Sequence, residues 1–129
     1  MRILTVIAAI LIFGAITAIN TPKKTPEQLK QEQRDQDIFG FALAVREIQR
    51  NPASFVVEDA YIGKNDANCI VYRSQNGFGG MNGGRAVESG GKRLHDQSAG
   101  FSKAWNNACT VSQRDLRRYI QFNIEHARR

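Results

Sequence analysis

Residues 68–75 read Asn68-Cys69-Ile70-Val71-Tyr72-Arg73-Ser74-Gln75, bracketed by Gly63-Lys64-Asn65-Asp66 before and Asn76-Gly77-Phe78-Gly79-Gly80 after. A β-favouring run between two turn-rich segments predicts a strand. Successive strand side chains leave on opposite faces, so Ile70 and Tyr72 oppose Cys69 and Val71. This is the central strand of the expected sheet. Upstream, Ser54–Ile62 predicts a second strand, with Phe55, Val57 and Tyr61 on one face and Val56, Ala60 and Ile62 on the other. Downstream, the glycine-rich connection Asn76–Gly84 leads into a third, Arg85–Glu88. No segment between them is long enough for a helical crossover, so antiparallel hairpins are the economical arrangement.

Helical patterns flank these strands. Thr25-Pro26-Glu27-Gln28 is a helix start, with Thr25 as N-cap, Pro26 at the first helical position and Gln28 three residues after the cap. The pattern runs to about Arg50, polar nearly all round at first, then with Ile38, Phe41, Ala42, Val45 and Ile48 at helical spacing for docking. Asn51-Pro52 ends it. Ser89–Asp96 reads as a polar loop and Gln97–Asn107 as a short helix carrying Phe101, Ala104 and Trp105. Ser112 is expected to cap a final helix, with Asp115 three positions on. Its inner face would hold Leu116, Tyr119, Ile120, Asn123 and Ile124, and its outer face Arg114, Arg117 and Arg118. The expected fold class is α+β: an N-terminal membrane helix, then a small three-stranded antiparallel sheet packed with one helix before it and helices after it.

The segment Ile3–Ile19 is seventeen residues without charge. As a helix it would span about 25 Å, between a signal-peptide core and a comfortable membrane crossing. Residues 1–20 are therefore expected to be a signal anchor or signal peptide, 21–37 a linker and polar helix, and 38–129 an extracytoplasmic domain. The cleavage pattern near Ala18 is poor, and Lys23 and Lys24 oppose translocation, so a retained anchor is favoured slightly over a cleaved signal. The net charge of +6 is compatible with solubility charge, or with attraction to anionic lipid, nucleic acid or an acidic protein.

Cys69 and Cys109 are the sharpest pair in the chain. In an exported protein an even cysteine count favours a disulfide, which across a loop of about 40 residues would stabilise the fold by roughly 4 kcal/mol. Reduced buried thiols would follow if the domain faced the cytoplasm. The absence of a C-x-x-C spacing disfavours a redox pair. The glycine-rich segment lacks the Gly-Lys-Ser/Thr ending of a phosphate loop. Its Phe78 and Met81 could pack back on the core, the plainer expectation, or stand out with Asn76, Gly79 and Gly80 as a binding tip. His95 and His126 have no partner at metal-ligand spacing, and no metal or other cofactor is expected. His95, Asp96 and Ser98 contain the letters of a hydrolytic triad without an elbow motif.

Asn51-Pro52-Ala53-Ser54-Phe55, the run Cys69 to Met81 and Trp105-Asn106-Asn107-Ala108-Cys109 together resemble a family of small bacterial exported proteins and lipoproteins. Its pattern is Pro-x-Ser, a cysteine-bearing strand, Asn-x-Phe/Tyr-Gly-Gly and Trp-Asn-x-x-Cys, here over about residues 51–110. The resemblance implies an extracytoplasmic domain with its two cysteines paired, and implies no activity. The leading expectation is a non-catalytic interaction module of the bacterial envelope, either membrane-anchored through residues 3–19 or released to the periplasm, that meets an envelope protein. Alternatives are a small extracytoplasmic hydrolase using His95, or a basic protein binding anionic membrane or, less favoured, nucleic acid through Arg114, Arg117 and Arg118.

Overall fold

The computed structural model describes residues 21–127, so the segment 3–19 expected to enter a membrane lies outside the described residues. Among the described residues no helix is long and apolar enough to cross a membrane. The chain divides into two units, Met1–Gln31 and Glu32–Arg129. In the first, helix α1 (Pro26–Glu47) begins. Its start is a capping box: the Gln28 N–H donates to Thr25 Oγ1 at 3.2 Å and the Thr25 N–H donates to Gln28 Oε1 at 2.8 Å. Each bond satisfies an amide that a first helical turn leaves without a partner.

In the second unit, the rest of α1 is followed by strands β1 (Val56–Ile62), β2 (Asn68–Gln75), β3 (Met81–Ser89) and β4 (Lys92–His95). Helix α2 (Phe101–Ala108), strand β5 (Arg114–Asp115) and helix α3 (Arg117–His126) complete it. The class is α+β, but the sheet has five strands where the sequence predicts three, in the antiparallel order β4-β3-β2-β1-β5. Gly90 and Gly91, at φ +57° and +75°, make a tight turn that folds Lys92–His95 back on β3. The expected loop Ser89–Asp96 is thus an edge hairpin, hidden in sequence because Leu94 is its one large apolar residue.

At the opposite edge, the Gln113 N–H donates to the Ile62 carbonyl at 2.8 Å and the Leu116 N–H to the Ala60 carbonyl at 2.7 Å. These bonds draw residues 113–116 into the sheet, so α3 starts at Arg117 and Ser112 caps nothing. Asp115 takes part of that role, its carboxylate accepting the Arg117 N–H at 2.9 Å. Helix α2 likewise starts later than expected, after Gly100 at φ +79°.

A β-bulge decides which residues share a face. Val57 pairs with Tyr72 and Asp59 with Val71, leaving Glu58 as the extra residue. Val57 and Ala60 therefore face the same way, against the strict alternation read from the sequence. On that face, Phe55, Val57, Ala60, Ile62, Ile70 and Tyr72 pack with Ile38, Phe41, Ala42 and Val45 of α1 and with Leu116, Ile120 and Ile124. The reverse face carries Tyr61, Cys69 and Val87 under Phe101, Trp105 and Ala108 of α2. Two expected inner-face residues, Ile48 and Tyr119, are exposed instead.

Candidate functional site

Two segments that are distant in sequence meet at the β2–β3 end of the sheet. The Ser54 hydroxyl donates to the Asn51 carbonyl and accepts the Gln75 N–H, both at 2.7 Å. The Asn51 side-chain amide donates to Gln75 Oε1 at 2.7 Å, and the Ser74 hydroxyl donates to Gln49 Oε1 at 2.9 Å. Arg50 lies against Gly77, where a Cβ would stand 2.2 Å from the guanidinium. The exit of α1 and the base of the hairpin are thus bound as one piece.

Above this base, Asn76 organises the turn. Its Oδ1 accepts the N–H groups of Phe78 at 2.9 Å and Gly80 at 3.0 Å, and its Nδ2 donates to Asn82 Oδ1 at 3.1 Å. The Asn76 N–H donates to the Gly80 carbonyl at 2.7 Å, and Gly79 takes φ +85°, a conformation glycine adopts freely. The turn is satisfied by its own backbone, by Asn76 and by the Gln75 side-chain amide, which donates to the Gly79 carbonyl at 3.3 Å, without help from the Phe78 side chain. The Phe78 side chain is 97% exposed and Met81 47%, so neither packs on the core as the plainer expectation had it. The expected loop also shortens to residues 76–80, because Met81–Gly84 belong to β3. Gly84 is needed there: a Cβ would sit 2.4 Å from the Tyr72 ring.

Cys69 and Cys109 form a disulfide, S–S 2.02 Å, with Cα atoms 5.8 Å apart. Trp105 packs beside the pair, its ring 5.7 Å from Phe101 and 6.5 Å from Tyr61, with the Arg85 guanidinium 5.2 Å above it. The Tyr61 hydroxyl donates to the Cys109 carbonyl at 2.5 Å, and burial, aided by Asp59, raises its pKa. Burial also raises the Tyr72 pKa, against a hydrogen bond from Gln49 that lowers it.

The basic face loses one expected member. Arg114 donates to Asp35 Oδ2 at 2.7 Å, tying α1 to the β5 edge. Arg117 and Arg118 are exposed, beside Phe122 at 58% exposure. The letters of the triad do not assemble. Ser98 Oγ accepts the His95 backbone N–H at 3.0 Å, while Asp96 accepts the Arg85 N–H at 2.8 Å and faces its guanidinium at 3.3 Å. Among the described residues no hydrogen bond joins the His95 ring to either, and no three His, Cys, Asp or Glu side chains converge as metal ligands.

Sequence reasoning missed the tethers Gln49, Ser54 and Gln75, because the residues that they join lie 21 to 25 positions apart in the chain. The chain matches no protein-family model, no curated protein and no solved structure.

Proposed function

We propose that this chain is an exported interaction module of the bacterial cell envelope, non-catalytic, which presents Phe78 and Met81 to an envelope protein. The observation that carries the proposal is a nearly fully exposed phenylalanine on a turn whose hydrogen bonds are met internally. Burying such a ring in a partner would contribute about 1.5–3 kcal/mol. A loop already held in one conformation gives up little entropy on binding. The disulfide fits an oxidising compartment, since such bonds persist outside the cytoplasm.

Crosslinking in intact bacteria expressing the full chain tests this. An adduct with an envelope protein should form with the natural chain and vanish in the Phe78→Ala/Met81→Ala variant. Identical adducts from both chains would defeat the proposal. Mass analysis of the same product should show Cys69 and Cys109 alkylated only after reduction.

A second reading rests on Arg117 and Arg118 flanking the exposed Phe122, a basic and aromatic patch suited to anionic lipid. It requires binding to phosphatidylglycerol vesicles that weakens with salt and disappears in Arg117→Glu/Arg118→Glu.

A further inference from the structure

A polar groove of about 670 Å³ lies beside the tethered loop, and it is distinct from the Phe78 tip. Its size falls in the range that accepts a small molecule. Arg50 and Tyr72 line one part of it, and Asn82, Gly84, His95 and Gln97 another. The charges in it are unequal. Asp96, the one acidic side chain of the lining, is already occupied by the backbone N–H and guanidinium of Arg85. Among the described residues, Arg50 has no acidic partner. The groove therefore holds one guanidinium with no acidic partner among the described residues, lying beside Gly77.

Neutral polar groups surround that charge. The Asn82 side chain meets Asn76 through its oxygen, and among the described residues its NH₂ donates to nothing. Likewise, the Gln97 carboxamide has no partner among the described residues. At Gly84 the Tyr72 ring and hydroxyl take the space that a side chain would need.

We infer that this groove binds a small ligand made of one carboxylate on a neutral, polar body. An arginine fork matches a carboxylate in two parallel hydrogen bonds. A single uncompensated cation balances a monoanion, and a phosphate dianion would leave charge unpaired. The free amides of Asn82 and Gln97 suit the hydroxyl or amide groups of the ligand's body. This site stands whether or not Phe78 meets a protein.

Titration of the full chain in mild detergent, followed by amide NMR, tests the assignment. The probes are an N-acetylated alanine tripeptide with a free carboxylate, its carboxamide, a methyl glucuronide and inorganic phosphate. At least one carboxylate probe should shift the resonances of Asn82, Gly84 and Gln97, and the peptide and the glucuronide distinguish an amide-rich from a hydroxyl-rich source. Arg50→Gln should weaken that binding about tenfold or more, with Gln97→Ala weakening it less and leaving the fold untouched. The carboxamide should not bind. Equal binding of carboxylate and carboxamide, tighter binding of phosphate, indifference to both variants, or no binding by any probe would each overturn the inference.

Discussion

The two faces of the sheet solve the same problem by different means. One is covered by the long helix α1 and by α3, whose Ile38, Phe41, Ile120 and Ile124 are fully buried or nearly so. The other receives only the short helix α2, Phe101–Ala108, and a covalent bond from Cys69 to Cys109 across 40 residues. Hydrophobic stabilisation scales with the apolar area removed from water, and a short helix removes less. A disulfide offsets the shortfall by restricting the unfolded chain. Where covering area is scarce, the fold uses covalent chemistry.

Each prediction probes that division. Phe41→Ala should remove the most, about 3–5 kcal/mol by denaturant titration, because its cavity opens in the better-packed face. Cys69→Ala/Cys109→Ala should cost about 2–5 kcal/mol. The single tryptophan of the chain, Trp105, reports the disulfide face alone. In that variant its fluorescence should become open to acrylamide quenching while amides of α1 keep their protection from exchange. Simultaneous loss on both faces would show that the staple serves the whole core equally.

Gly84→Ala should cost about 1–3 kcal/mol by pushing the Tyr72 ring into the helix-covered face. Alkaline titration separates the faces further, since Tyr61 lies on one and Tyr72 on the other. Both phenols have pKa values raised above the ordinary tyrosine value of about 10, so their contribution is complete below that pH and is lost as pH rises through the folded values. Unfolding above about pH 10 should be delayed in Tyr61→Phe and in Tyr72→Phe, monitored by circular dichroism. The smallest effect belongs to neither face. Phe78→Ala should alter stability by less than about 0.5 kcal/mol in thermal melts, whatever it does to binding.

Much of this division was legible in the chain. The alternation of Ile70 and Tyr72 against Cys69 and Val71 survives unchanged, because β2 is regular and covered on both sides. The apolar face of α1 from Ile38 to Val45 follows from helical spacing alone. What stayed hidden depends on partners far away in sequence. Leu116 looked helical until the Ala60 carbonyl took its N–H, and Lys92–His95 is a strand only because β3 lies alongside. The bulge at Glu58 has no sequence mark, since either neighbour could have been the extra residue. At the site, the exposure of Phe78 was unreadable because it depends on Asn76, Gln75 and the backbone satisfying the turn without the phenylalanine ring.

That self-sufficiency has a consequence for design and for evolvability. The Phe78 side chain is exposed and takes no part in the hydrogen bonds that hold its own backbone in place. A library of side chains at this one residue could therefore be displayed at a fixed point and in a fixed direction. The turn behaves as a socket into which a new specificity can be set without renegotiating the fold.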